Sequence, residues 1–98
     1  MKLQTGDIIE YLNSTMTYGI VYKVNIYKEG LGVSNAIVKW NEPEPGDTTT
    51  ESLELDEHHF KYICNVSEIK DDVLKGFAIA IKYNIDINSL MQFIDQVL

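Results

Sequence analysis

The side chains best suited to chemistry lie together in one acidic stretch. Residues 39–60, KWNEPEPGDTTTESLELDEHHF, hold seven carboxylates, both histidines and both prolines. Carboxylates and imidazoles bind metals and transfer protons, so the run Asp56-Glu57-His58-His59 could form a metal site. Neighbouring side chains of an extended segment point to opposite faces, however, whereas zinc needs three or four ligands that converge. We therefore interpret the run as a capped surface turn and expect no metal ion and no cofactor.

An enzyme would need a nucleophile or a carboxylate with a shifted pKa, and the candidates for both are weak. Cys64 is the only cysteine and could act with His58 or His59, but it falls in an apolar strand pattern, where a lone cysteine is typically inert. No Gly-x-Ser-x-Gly elbow or phosphate-binding glycine loop is present. The carboxylates of the proline-containing turn should be solvated, which leaves them unsuited to acid–base catalysis. We expect no enzymatic activity from these carboxylates, which are Glu42, Glu44, Asp47 and Glu51.

The charge balance argues against direct contact with nucleic acid. The net charge is −7, and all eight cations are lysines, so arginine is absent. Arginine is the preferred side chain for bidentate contacts to phosphates and bases, and an acidic chain repels a polyanion. Acidic surfaces instead steer towards basic protein partners.

The single cysteine favours a reducing compartment, and the apolar runs are too short to indicate a membrane span. One cysteine excludes an intramolecular disulfide. The longest apolar run, Phe77 to Ile81, is too short to span a membrane, and residues 1–13 lack the apolar core of a signal peptide. We expect a cytoplasmic protein. The chain lacks arginine and is rich in isoleucine and asparagine. This amino-acid composition is typical of AT-rich genomes, such as those of many viruses, and favours a viral origin.

The first two thirds of the chain predict short strands. Apolar and polar residues alternate in GDIIEYL, GIVYKVNIY, AIVKW, SLEL and FKYICNV, and the β-branched and aromatic residues that strands favour dominate these runs. Five short strands separated by turn-forming residues indicate a small antiparallel barrel or sandwich. In GIVYKVNIY we expect one face to carry Ile20, Tyr22, Val24 and Ile26.

The last third changes to a helical period. We expect one longer helix with a cap at Asn65 or Ser67 and a stop at Asn84, then a shorter helix after a cap at Asp86 or Asn88. They predict an αα-hairpin over residues 67–98, following a small barrel over residues 1–66, in a single domain of 98 residues. The apolar stripes expected to face the core are Ile69, Val73, Phe77, Ala80 and Ile81, widened by Leu74 and Ala78, and Leu90, Phe93, Ile94 and Val97.

The strand residues carry a resemblance at the level of fold. The series GDIIEYL, TYGIVYKV, NAIVKWNE, LEL and HHFKYI, over about residues 5–66, resembles the Tudor/KOW-type branch of the SH3-like small β-barrels. The resemblance implies a five-stranded antiparallel SH3-like barrel and does not extend to the helices. Together with the C-terminal αα-hairpin expected from the helical period, it gives an α+β fold. Within this family, KOW-type barrels can bind nucleic acid and Tudor-like barrels can hold methylated lysine or arginine in an aromatic cage. Tyr18 and Tyr27, at strand ends, are the aromatics we expect to be exposed.

A surplus of apolar surface is the strongest functional signal. On the strands, Ile8, Leu12, Val21, Ile37 and Ile63 point away from the predicted barrel interior. Something must cover them, because exposed apolar patches mark interfaces. Either the hairpin docks on its own barrel in a monomer, or hairpins from two chains pair in a homodimer through the C-terminal helices. Of these arrangements we favour the dimer.

The sequence thus predicts a non-enzymatic protein–protein interaction module, a small acidic modulator of a basic protein partner. Two alternatives stay open: a nucleic-acid-binding barrel of KOW or Tudor type, and an acidic nucleic-acid mimic that inhibits a DNA-binding protein. We expect the contacts to lie in the acidic loop, at strand ends and on the hairpin. The candidate partner-binding residues are Glu42, Glu44, Asp47, Glu51, Tyr18, Tyr27, Phe93 and Val97.

Overall fold

An antiparallel sheet followed by helices makes up the fold, as the α+β class predicts. The computed structural model describes residues 3–11, 17–26, 34–41, 50–54 and 60–98. The strands are Asp7–Tyr11 (β1), Tyr18–Asn25 (β2), Asn35–Trp40 (β3), Thr50–Glu54 (β4) and Phe60–Asn65 (β5). The helices are Val66–Asp71 (α1), Val73–Lys82 (α2) and Ile87–Val97 (α3).

The strands form one sheet in the order β4-β3-β2-β1-β5, and every neighbouring pair is antiparallel. The last strand therefore returns to pair with the first, and β1 lies between β2 and β5. Over the described residues β4 and β5 do not pair with each other, so the closure expected of a barrel is not found there.

A β-bulge interrupts the pairing of β1 with β5. Ile8 pairs with Cys64, but the next residue, Ile9, pairs with Tyr62, which leaves Ile63 as the extra residue of β5. A bulge inserts one residue into one strand and so reverses which face the following side chains occupy. Alternation through β5 therefore does not continue across the bulge.

A second bulge lies in β2. Val21 pairs with Val38 and Lys23 pairs with Ile37, which leaves Tyr22 without a partner in the register. The unbroken alternation expected for this strand is wrong for the same physical reason. Tyr22 and Ile26 were expected to share a face with Ile20, but both are exposed whereas Ile20 is buried.

Two clusters of buried side chains lie on opposite faces of the sheet, since successive residues of a strand point to opposite sides. Ile8 and Ile20 are buried towards the helices, whereas Ile9 and Val21 are buried on the other face. The helix-side core contains Ile8, Tyr18, Ile20, Cys64, Val66, Ile69, Ile79, Tyr83, Leu90 and Ile94. The opposite-side core contains Leu3, Ile9, Val21, Ala36, Val38 and Trp40. The helices thus cover Ile8 within a single chain. The expectation that Val21 shares a face with Ile8 is wrong, because Val21 is buried on the other side of the sheet.

A glycine permits the dense packing of the opposite-side core. A Cβ atom at Gly19 would lie 2.5 Å from Val38 Cγ1 and 2.6 Å from Trp40 Cε3. Both distances are shorter than van der Waals contact, so any side chain at this position would displace the tryptophan or the valine.

The junction between sheet and helices is fixed by a polar network. Asn65 caps α1: its Oδ1 accepts from the Ser67 N–H at 3.0 Å, and its own N–H donates to Glu68 Oε2 at 2.7 Å. The side-chain amide of Asn65 also donates through Nδ2 to Asp7 Oδ1 at 2.8 Å. The other oxygen of this carboxylate, Asp7 Oδ2, accepts from the Gln4 backbone N–H at 2.7 Å. Asp7 is buried, so the amide that starts the helix also satisfies a buried carboxylate of β1.

The expected longer helix is two helices. Asp72 has extended dihedral angles of φ −135° and ψ 96°, and its side chain accepts from the Leu74 N–H at 3.1 Å. Aspartate is a strong N-cap because its carboxylate satisfies a free N–H and suits the positive end of the helix dipole. The helical part therefore contains three helices rather than the predicted pair.

The predicted stop at Asn84 is confirmed. Asn84 has φ +53°, the left-handed conformation that asparagine tolerates at a helix end. The Asn84 N–H donates to the Ile81 carbonyl at 3.1 Å, and the Ile85 N–H donates to the Ala80 carbonyl at 2.8 Å. These two bonds make a Schellman motif, after which Asp86 occupies the N-cap position of α3.

Candidate protein-binding surface

One side of α2 carries large apolar side chains that face solvent. The helix packs on the rest of the protein through Gly76, Ile79 and Ala80, which are buried. The exposed residues are Val73, Leu74, Phe77 and Ile81, with 62%, 77%, 45% and 78% of their surface accessible. We call these four residues the α2 stripe.

The α2 stripe is a separate surface rather than the margin of the core. At about 100° per residue, the four exposed side chains are centred well away from the buried side, and Leu74 and Ile81 lie almost opposite it. A helix of this kind is apolar on both sides, and only one of them is covered within the chain.

The sequence-based assignment of the core-facing stripe is therefore wrong for most of α2, although Ala80 is buried as expected. Val73, Phe77 and Ile81 were expected to face the core together with Ile69. The break at Asp72 ends the first helix and starts a second with a new rotational phase, so spacing counted across it has no geometric meaning.

The rotation of α2 is fixed by a close approach at Gly76. A Cβ atom there would lie 3.0 Å from Ile69 Cγ2 of α1 and 3.4 Å from Ile87 Cδ1 of α3. The helices meet at this glycine because it has no side chain to separate them. With Gly76 turned inward, Phe77 and Val73 turn outward.

The size of the α2 stripe is comparable to that of known interaction patches. From their exposed fractions, the four side chains present on the order of 500 Å² of apolar surface, within the range of the largest patches on monomeric proteins, which are often functional. Met91 of α3 is also partly exposed and lies beside Gly76, with its Cε 3.9 Å from the Cβ position.

The lysines of α2 lie on a flank of the helix and are paired. Lys75 Nζ is 2.9 Å from Glu68 Oε1, and Lys82 Nζ is 3.1 Å from Glu10 Oε2. The hydrogen bond to Glu68 raises the pKa of Lys75. The pKa of Glu68 is lowered, mainly because its carboxylate accepts a hydrogen bond from the Asn65 backbone N–H and secondly because it accepts one from Lys75. These exposed pairs leave the α2 stripe bordered by compensated charges.

Most of the predicted acidic surface falls outside the described residues. Glu42, Glu44, Asp47 and Tyr27 all lie there, as do His58 and His59. Glu51 lies in β4, where it pairs with Val38 of β3. The acidic loop therefore stays a prediction.

Tyr18 is not the exposed aromatic that the sequence predicts, because only 1% of its surface is accessible. Its ring centroid lies 4.9 Å from that of Tyr83 and 5.6 Å from that of Phe93, the latter in an edge-to-face arrangement. Phe93 and Val97 are half-buried and pack against the helix-side core. The structure thus brings together Tyr18, Phe93 and Val97 as packing residues.

A shallow cleft borders these aromatics. It has a volume of about 230 Å³ and is lined by Tyr18, Asn41, Ile85, Ser89, Gln92, Phe93 and Gln96. Its polar groups are amides and hydroxyls, which can orient a ligand by hydrogen bonding. No carboxylate, lysine or histidine is among these lining residues, so the cleft offers no acid–base pair.

The candidate nucleophile is poorly suited to catalysis. Cys64 is buried in the helix-side core, and burial raises the pKa of its thiol to about 11. A reactive cysteine needs the opposite shift, because the thiolate is the nucleophile. Within the described ranges, no group of three or more His, Cys, Asp or Glu side chains could hold a metal ion.

Comparison with known proteins gives no relative: no family model matches the chain, and neither curated proteins nor solved structures match it. In the part of the chain that the structure describes, no helix is long and apolar enough to cross a membrane. Function must therefore be argued from the site itself.

The α2 stripe was missed by spacing alone, but the sequence holds a signal for it. Apolar residues occupy nearly the whole circumference of the segment from Val73 to Ile81, which is more than one covered face requires. The Asp71-Asp72 pair just before it is a helix-start signal. Together they would have indicated a new helix with a second apolar side.

Proposed function

We propose that this chain is a non-enzymatic protein-binding module and that the α2 stripe is its principal contact surface. The observation that carries the proposal is the apolar exposure of Leu74 and Ile81 on a helix whose other side is already packed. Large apolar patches on soluble proteins commonly mark protein interfaces. The acidic net charge adds long-range attraction to basic partners and so favours encounter with them.

The finer fold that we propose is an SH3-like small barrel of Tudor/KOW type with a helical tail. The strand order, in which the fifth strand pairs with the first, supports it. The bulge in β2 supports it as well, since bulges give a sheet the bend that closure requires. The helical tail serves as the platform that presents α2.

A matched pair of variants tests the proposed contact surface. Leu74→Glu places a carboxylate in the α2 stripe, at a position exposed enough for the fold to tolerate it. Gln92→Glu places the same charge at an exposed position of α3 that lines the cleft. The wild type and both variants are immobilised and incubated with extract of the source cells, and the retained proteins are quantified by mass spectrometry.

We expect a protein that is retained by the wild type and by Gln92→Glu, and whose binding to Leu74→Glu is at least about tenfold weaker when remeasured by calorimetry with purified partner. Circular dichroism must show the same fold for all three. Loss of binding only in Gln92→Glu would assign the contact to the cleft instead. Equal retention by all three would refute the proposed surface.

A further inference from the structure

The two most exposed residues of the α2 stripe, Leu74 and Ile81, are placed symmetrically along the helix. Leu74 and Ile81 are equally distant from the midpoint between Phe77 and Ala78. If a second α2 packs against the first in the antiparallel direction about that midpoint, Leu74 lies opposite Ile81 of the second copy. The two-fold axis is perpendicular to the plane of the two helices. The two Phe77 rings then meet on one side of the helix pair, and the two Ala78 methyl groups meet on the other side. A surface that matches itself after a two-fold rotation fits a symmetric dimer.

Charge is also complementary in this antiparallel arrangement. Asp72 is the N-cap of α2, Asp71 ends the preceding helix next to it, and Lys82 lies at the carboxyl end of α2. Antiparallel packing places the basic end of each helix beside the acidic end of the other and aligns the two helix dipoles favourably. Lys82 is half-exposed beside Glu10, so its ammonium group can reach a further acceptor.

The area available fits a weak, reversible dimer. Two stripes of on the order of 500 Å² each would bury roughly 1,000 Å² together, at the lower limit for specific interfaces. The net charge of −7 on each copy opposes association at long range. The apolar contact favours the dimer, whereas repulsion between the two negatively charged copies opposes it. The dimer should therefore become stronger when salt screens the charges.

We infer that the partner of the α2 stripe is a second copy of this chain, bound through an antiparallel α2–α2 contact about a two-fold axis between Phe77 and Ala78. This inference rests on the proposed protein-binding role and names its partner. The aromatic pair supplies the largest buried area at the centre, and the small Ala78 residues let the helix backbones approach.

Sedimentation velocity on the intact chain tests the inference. Between about 10 µM and 1 mM, the wild type and Gln92→Glu should move from the monomer mass of 11.2 kDa towards twice that mass. Leu74→Glu should stay monomeric to a concentration at least about tenfold higher. Raising the salt concentration should strengthen the dimer, whereas it would weaken a contact with a basic protein.

Cross-linking tests the direction and centre of the contact. Ala78→Cys places two thiols near each other across the proposed axis, so mild oxidation or a short bis-maleimide should link two chains. Ser67→Cys on the exposed side of α1 is the matched control and should remain unlinked. The native Cys64 is buried and should not contribute, as the wild type will report directly.

The outcomes separate the inference from the proposed function. A wild type that stays at the monomer mass over the whole range refutes the second copy, while the proposed role stands if Leu74→Glu still loses a captured protein. A dimer that Leu74→Glu leaves intact, or that cross-links through Ser67→Cys rather than Ala78→Cys, refutes the α2 contact. If Leu74→Glu changes neither self-association nor capture, both proposals fail.

Discussion

Replacing Ile79 by alanine should destabilise the protein far more than the same substitution at Ile81, two residues away on the same helix. Ile79 is 6% exposed and packs in the helix-side core, whereas Ile81 is 78% exposed in the α2 stripe. The pair isolates the rotation of α2 because chemistry, helix propensity and neighbouring sequence are nearly constant. Uninterrupted helical spacing from Ser67 predicts a core position for Ile81.

The magnitude follows from the burial of each side chain. Deleting the buried atoms of Ile79 costs about 0.8 kcal/mol for each methylene-sized group, and the remaining cavity adds to this, so we expect a loss of about 2–4 kcal/mol. At Ile81 most of the side chain is already hydrated, and we expect a loss below about 0.5 kcal/mol.

Urea denaturation followed by circular dichroism measures both free energies of unfolding. The protein concentration should be low enough to keep the chain monomeric, because dimerisation stabilises the folded state by mass action. Under those conditions a loss for Ile81→Ala equal to or larger than that for Ile79→Ala would refute the assigned rotation of α2. At high concentration Ile81→Ala should also weaken self-association.

Three further changes test other parts of the structure. Asn65→Ala removes the α1 cap and the amide that binds the buried Asp7 carboxylate, so it should lower the free energy of unfolding by about 2 kcal/mol in urea. Gly19→Ala should lower it by about 1–3 kcal/mol, because the added methyl group meets both Val38 and the Trp40 ring. For Cys64, burial raises the thiol pKa to about 11. The stabilisation from keeping this thiol protonated is complete below its unfolded-state pKa of about 8.5 and should be lost as the pH rises towards 11, as denaturation at several pH values would record.

Each of these tests has a matched control. Ser67→Ala changes an exposed residue beside Asn65 and should stay within about 0.5 kcal/mol of the wild type; a loss as large as that of Asn65→Ala would contradict the network. A Val38→Ala background should reduce the cost of Gly19→Ala, and an unchanged cost would contradict the steric explanation. Cys64→Ala should lose less stability than the wild type across the alkaline range. Identical slopes would contradict the assignment to Cys64.

Sequence reasoning succeeded where the signal is local. Turn residues and strand composition predicted an antiparallel sheet followed by helices, and this α+β class is confirmed. Asn65, one of the two expected caps, is the N-cap of α1, and the stop at Asn84 is confirmed; both signals depend on one side chain and its immediate backbone. Helix caps and stops of this kind can be recognised in a sequence without knowledge of the tertiary structure.

Periodicity failed where a residue interrupts the count. The bulge at Tyr22 shifts the faces of β2, and the cap at Asp72 resets the phase of the following helix. In both places the alternation or helical spacing is regular before and after the interruption. What changes is which face the residues after the interruption occupy, and the spacing does not predict that. The error over Tyr18 has another origin, since a strand end that looks exposed is covered by Phe93, a residue 75 positions later in the chain. Such long-range coverage has no local signature.

The alternation of consecutive residues in β1 has a consequence for cooperativity. Ile8 belongs to one core and Ile9 to the other, so β1 contributes to both cores, as β2 does through Ile20 and Val21. We therefore expect the sheet and the helical tail to unfold together. The tail is thus integral to the folding of this chain, and a fragment that ended at Asn65 would turn the whole helix-side face of its sheet towards water.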